Sequence, residues 1–170
     1  RLYLCLMKTN RIKETEKATL KTFQKEIPSN YFYNKSINEY SKITKNAEYM
    51  YKYHLKLPPE MFKDKKLIDF GAGTGENTIY LANWGAKCTL VEMNPIAHEI
   101  SKKVFKKHSK SIKDHKFINS SIFDISVKKN FYDIVYCRGV LSHTSGKEIA
   151  FKKISSSLKK GGIMIFGDPN

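Results

Sequence analysis

The feature that most restricts this chain is a glycine-rich loop set between an apolar strand and a helix. Leu67 to Phe70 is a short apolar stretch that runs straight into Gly71-Ala72-Gly73-Thr74-Gly75. Glycine serves where backbone must turn tightly or approach a ligand with no Cβ in the way. At the end of the first strand of an α/β sheet, such a loop lies at the topological switch point, where ligands bind.

The chain from Lys65 onward has the pattern this requires. The loop opens a helix predicted from Glu76 to Trp84, and Gly85 stands at its C-cap position. Lys87 to Val91 reads as a second strand. Asn94 then caps a helix with Pro95 at its first position, and Ile96, Ile100 and Val104 turn inward. That helix ends among Lys106, Lys107, His108 and Lys110, whose charges complement the helix dipole. Strands follow at Lys116 to Asn119, Asp133 to Cys137 and Ile163 to Phe166. A helix from Lys147 to Leu158 precedes the last of these, and Gly161-Gly162 turns into it. Strands alternating with helices at this spacing predict an α/β fold with a doubly wound parallel sheet and right-handed crossovers.

Ahead of Lys65 the pattern is helical. Residues 8 to 27 are polar and lysine-rich, and Leu20, Phe23 and Ile27 have partial helical spacing. A loosely attached helix ended by Pro28-Ser29-Asn30 is predicted there. Ser36 and Glu39 form a capping box, after which Ile37, Tyr40, Ile43, Ala47, Met50 and Tyr51 recur near the helical period. Pro58-Pro59 closes that segment. Residues before Met7, which heads a plausible open start, are set aside from fold reasoning. The division expected is a polar extension over 1–30, a helical lid over 31–64 and a ligand-binding core over 65–170.

Composition narrows the class. With 41% hydrophobic residues the chain is globular, and no apolar run approaches the roughly 20 residues of a membrane span. A soluble, cytoplasmic protein is expected, without membrane association. The three cysteines form no C-x-x-C pair and the histidines no ligand-spaced pair, so neither a disulfide scaffold nor a metal site is expected. The net charge of +15 admits a polyanionic partner such as RNA. The charge is scattered, however, and nearly all lysine, with Arg1, Arg11 and Arg138 the only arginines. Arginine is the better residue for bidentate phosphate and base recognition, so RNA is not the favoured partner.

Glu92, at the end of strand two and about 20 residues after the glycine loop, suits a ribose diol, because a carboxylate can accept from both hydroxyls. Dinucleotide sites share this feature. Their G-x-G-x-x-G pattern would place its third glycine at Glu76, where a carboxylate disfavours a pyrophosphate. A site rimmed by Asp69 and Glu92 suits a cationic sulfonium and an ammonium group instead.

Four segments in order resemble the motifs of class I S-adenosylmethionine-dependent methyltransferases. They are Leu67-Ile68-Asp69-Phe70-Gly71-Ala72-Gly73-Thr74-Gly75, Leu90-Val91-Glu92-Met93-Asn94, the run from Phe131 to Thr144, and the run from Leu158 to Phe166. The resemblance covers Leu67 to Phe166. It implies a Rossmann-like sheet of strand order 3-2-1-4-5, S-adenosyl-L-methionine as cofactor, and methyl transfer to O, N or C of an acceptor, most simply a small molecule. It implies that Gly71, Ala72, Gly73 and Gly75 pass under the methionine and ribose. Asp69 would hold the methionine ammonium directly or through water, Glu92 the ribose hydroxyls and Met93 the adenine. Cys137 and Arg138 would line the methionine end. The family often has an acid after strand three facing the adenine amino group. Here Ser121 and Ile122 fall there and Asp124 follows, so either Ser121 with backbone groups serves the adenine or Asp124 does.

Methyl transfer is an in-line displacement, so the protein's main task is alignment and exclusion of water. A base is needed only where the acceptor must lose a proton, and His143 is the candidate. Arg138 is open to two readings, neutralising an anionic acceptor or joining a structural ion pair. The segment from Tyr31 to His54 would resemble an N-terminal lid, though the spacing of Tyr40 and Tyr51 fits core packing. The chain stops after strand five, so strands six and seven of the family's sheet are expected to be missing and an edge exposed. Rival readings are an RNA methyltransferase, a non-catalytic cofactor-binding or scaffold module and, least supported, a nicotinamide-dependent oxidoreductase.

Overall fold

A computed structural model describes residues 2–25 and 36–168. Its centre is one sheet of five strands: β1 (Lys66–Phe70), β2 (Lys87–Glu92), β3 (Lys116–Asn119), β4 (Tyr132–Arg138) and β5 (Leu158–Gly167). All neighbours are parallel and the order is β3-β2-β1-β4-β5, the α/β Rossmann-like arrangement that the resemblance implied. The order reverses between β1 and β4, so the ends of these two strands open the crevice in which α/β proteins bind ligands.

Side chains alternate across the sheet and fill a core on each face. Leu67, Cys88, Leu90, Ile134 and Tyr136 join one core with Phe105 and the aromatic group Tyr51, Phe62, Tyr80 and Trp84. Ile68, Phe70, Val91, Val135 and Cys137 join the other with Leu141, Ala150 and Ile154. Among the described residues the α-helices are α1 (Leu2–Lys25), α2 (Ile37–Tyr49), α3 (Ile79–Asn83), α4 (Pro95–His108) and α5 (Lys147–Ser156), and a π-helical turn, Met50–His54, continues α2. The Ser36–Glu39 capping box and the Asn94 cap with Pro95 behind it are both present. Tyr40 and Tyr51 are buried, Tyr40 stacked on His108 at 4.3 Å, as core packing requires.

Several elements differ from the sequence reading. The helix after the glycine loop begins at Ile79, not Glu76, because residues 76–78 form turns in which the Thr78 amide bonds back to the Gly75 carbonyl at 3.1 Å. α5 stops at Ser156, and β5 already starts at Leu158 and runs through Gly161-Gly162 instead of turning there. A register irregularity between Tyr132 and Ile134 absorbs those residues. The helix over residues 8 to 25 is continuous from Leu2 and is fastened to the core, not loosely attached. Pro28, Ser29, Asn30, Tyr31, Phe32 and Tyr33 lie outside the described residues. Among the described residues the sheet has five strands, β5 is an edge, and Phe151 and Phe166 are exposed beside it.

Candidate functional site

The loop after β1 is shaped by its own backbone. The amides of Gly71 and Ala72 both donate to the Val91 carbonyl, at 2.8 and 3.0 Å, which ties the loop to the end of β2. Gly71 has φ +75° and Gly73 φ +54°, the left-handed region that favours glycine. A Cβ on Gly71 would stand 2.4 Å from Val140 Cγ2, whereas one on Gly73 would meet nothing within 4 Å. The loop thus packs against the β4 end at Gly71 and presents bare backbone to open space at Gly73.

Glu92 ends β2 with both carboxylate oxygens engaged. Oε2 accepts from the Gly73 amide at 2.7 Å and Oε1 from the Asn94 amide at 2.8 Å. Each oxygen can accept again, so two hydroxyls on one ligand remain within its capacity. Burial raises the Glu92 pKa, against the pull of these amides. One strand away, Asp69 is 2% exposed and accepts from the Thr78 hydroxyl. Burial pushes its carboxyl up to about 7, against that hydrogen bond and with help from the Glu92 charge.

A cavity of about 240 Å³ opens across the ends of β3, β2, β1 and β4. Gly71, Gly73 and Thr74 form its floor beside Glu92 and Met93, with Ile122 and Phe123 at one end and Val140 and His143 at the other. Its cover is α1, from which Glu16, Thr19, Leu20 and Phe23 face inward. That helix is fastened to three loops. Lys13 Nζ donates to Asp124 at 2.7 Å, Thr19 donates to the His143 carbonyl at 3.0 Å, and Asn94 Nδ2 donates to the Phe23 carbonyl at 3.2 Å. Ser121 donates to Glu16, and the Phe23 ring stands edge-on to His143 at 5.1 Å.

Of the residues singled out from sequence, Gly71, Gly73, Glu92, Met93, Ile122 and His143 meet at this cavity. The others stand back from it. Asp69 and Ala72 are buried under the loop, and Gly75 is wedged against Phe105, Ser101 and Leu90. Ser121 Oγ is turned to Glu16 and to the Phe123 amide, and Asp124 is held by Lys13 outside the lining. Cys137 and Arg138 are adjacent on β4 and therefore point to opposite faces. Cys137 is fully buried, while Arg138 is exposed. Glu76 is not in the lining, so the charge argument against a pyrophosphate rests on Glu92 and Glu16 instead. The helix over the cavity is α1; α2, expected as the lid, contributes Tyr40 to the core of one sheet face.

Sequence reasoning missed Glu16, Thr19 and the role of Leu20 and Phe23. Ile12, Glu16, Thr19 and Phe23 do recur at helical spacing. Two of those four are polar, so a search for apolar periodicity passes over them.

A family model described as a methyltransferase domain matches residues 43–170. The chain belongs to this methyltransferase family. The methyltransferase reading from sequence is borne out, and with it the Rossmann-like fold. An uncharacterized protein of Synechococcus is 27% identical over 101 residues, which are 58% of this chain and 24% of that protein. Among solved structures, one described as an S-adenosyl-L-methionine-dependent methyltransferase of Methanococcus maripaludis aligns with a TM-score of 0.57 at 21% identity. The alignment covers 74% of this chain and 63% of that one. Another, from Listeria monocytogenes and described in the same terms, aligns with a TM-score of 0.56 at 24% identity, covering 71% and 54%. These likenesses concern the fold, and this methyltransferase chain spans less than two thirds of each relative's length.

Proposed function

We propose that the cavity binds S-adenosyl-L-methionine, with its ribose hydroxyls on Glu92, and that the chain transfers the methyl group to an O, N or C atom of a small-molecule acceptor. The cofactor supplies an electrophilic methyl on a sulfonium. The residues of this chain supply the rest. Gly73 offers backbone that a ligand can approach closely, Glu92 holds the diol, and Met93 and Ile122 offer apolar walls to a flat base. Leu20 and Phe23 of α1 exclude water from the space next to Val140, where in-line displacement is favoured by a dry, aligned site. His143 stands at that end, placed to take a proton where the acceptor must lose one. Asp69 lies behind the loop, where its carboxyl would reach a methionine ammonium through water or a modest shift of Thr78.

The observation that carries this reading is the charge of the lining. The chain bears 31 lysines and arginines, yet among the described residues none lines the cavity, whose lining includes the carboxylates Glu16 and Glu92. Such a site favours a cationic ligand and leaves a phosphate without a partner. Among the described residues no helix is long and apolar enough to cross a membrane, and a cytoplasmic location is part of the same proposal.

The second reading, an RNA methyltransferase, is favoured by the +15 charge alone. Tritium-labelled S-adenosyl-L-methionine incubated with a small-metabolite pool and with total RNA separates the two. Label in a small-molecule fraction supports the proposal. Label in RNA, with retention on heparin that falls steeply with salt, supports the rival. Cofactor binding with label in neither fraction favours a non-catalytic binding module.

A further inference from the structure

The two residues that sequence reading weighed for the adenine amino group are both occupied elsewhere. Asp124 accepts from Lys13 Nζ with both oxygens, at 2.8 and 2.7 Å, and lies outside the cavity lining. Ser121 Oγ accepts from the Phe123 amide at 3.0 Å and spends its one proton on Glu16. No acid of the β3 loop therefore faces the cavity, but a carboxylate does arrive there from the opposite side.

That carboxylate is Glu16 of α1. Its side chain is 15% exposed, it lines the cavity, and it is held in place through Ser121 on one oxygen and Lys13 at 3.3 Å on the other. Both oxygens keep acceptor capacity. With a ribose at Glu92, two branches lead away along the cavity. The branch toward β4 runs past Gly71 and Val140, and the branch toward β3 is walled by Met93, Ile122 and Phe123. Apolar walls of that kind suit the faces of a planar base. Glu16 stands on the β3 branch, as its contact with Ser121 requires.

We propose that Glu16 is the residue that reads the exocyclic amino group of the cofactor's adenine. This rests on the cavity being the S-adenosyl-L-methionine site. Glu16 accepts a hydrogen bond from the amino group, and the Ser121 and Lys13 contacts hold its carboxylate at the right edge of the base. The same contacts bind α1 to the loop after β3, so base recognition and closure of the cover share one side chain.

The test compares two ligands that differ only in that amino group, S-adenosylhomocysteine and its 6-deamino purine analogue, by calorimetric titration. The wild type binds the first about tenfold or more tightly than the second, the value of a hydrogen bond to a charged acceptor. Glu16→Ala brings that ratio close to one, and Glu16→Gln, which keeps a neutral acceptor, leaves it at a few-fold. Thr15→Val removes the hydroxyl that bonds α1 to Ser145 and leaves Lys13, Ser121 and Glu16 as they are, so both affinities fall by one common factor and the ratio survives. Thermal melts confirm that each variant is folded. An unchanged ratio in Glu16→Ala, with both affinities lowered alike, overturns the proposal and leaves Glu16 a mere anchor. A wild type that binds S-adenosylhomocysteine without discrimination overturns it too. Failure of a folded wild type to bind either ligand sinks the cofactor reading itself.

Discussion

Asp69→Asn isolates the most perturbed carboxyl of the site. Asp69 sits on β1 between Leu90 and Tyr136, 2% exposed, with the Thr78 hydroxyl donating to it. An amide oxygen can accept that hydrogen bond, and the burial cost of the new amide NH2 does not change with pH, so the pH dependence of the difference isolates the charge. Burial pushes the carboxyl up to about 7 from an ordinary value of 3.8. Since the folded-state pKa is the higher one, folding takes up a proton between these values, and stability falls as pH rises through that window. Raising the pKa this far costs the ionised protein about 4 kcal/mol, of which less than half is already felt at pH 5. The variant has no such group. Urea denaturation at pH 5 and pH 8 should therefore show its stability relative to the wild type rising by about 3 kcal/mol between the two. The same variant should bind S-adenosylhomocysteine more weakly at pH 8, because a ligand ammonium favours the ionised carboxyl. A stability difference that stays flat with pH would refute the reasoning.

Three further outcomes follow from packing. Gly71→Ala puts a Cβ 2.4 Å from Val140 Cγ2 at a φ of +75°, and should destabilise the fold by about 1–3 kcal/mol and abolish S-adenosylhomocysteine binding in the same titration. In Gly146→Ala the new Cβ meets Ile12 Cδ1 at 2.8 Å and Phe123 Cε1 at 2.9 Å. Hydrogen exchange should then quicken along α1 while the amides of β1, β2 and β4 keep their protection. Cys88 and Cys137 are buried and burial raises both thiols, that of Cys137 to about 12, so neither should react with a thiol reagent at pH 8 until denaturant unfolds the chain.

Legibility in the sequence followed the kind of signal each element carries. β1 and β2 announce themselves as apolar runs bounded by glycine and by Glu92, and both are central strands buried between an exposed first lysine and the ligand end. Ser36–Glu39 and Asn94-Pro95 carry side-chain chemistry that acts locally, and both caps form. The start of α3 was misplaced because Thr78 is drawn to a residue nine positions earlier, Asp69, and no local propensity registers such a contact. β5 takes in Gly161-Gly162 because pairing with β4 outweighs the weak strand preference of glycine. Met93 and Ile122, which the family resemblance implied, line the cavity, whereas Asp69, Gly75 and Cys137 stand behind it, since strand alternation and loop depth decide which neighbour faces the ligand. α1 was the least legible element. Its inward face is half polar, and its purpose shows only when Asp124, Ser121, His143 and Asn94 come together from three separate loops.

The central claim is that Glu92 holds the ribose of S-adenosyl-L-methionine at the end of β2. Calorimetric titration of S-adenosylhomocysteine into the wild type and into Glu92→Ala tests it most directly. The account predicts micromolar binding by the wild type and a loss of about tenfold, or 1.4 kcal/mol, in the variant. A folded wild type that binds nothing, or a folded Glu92→Ala variant that binds as tightly as the wild type, would contradict it.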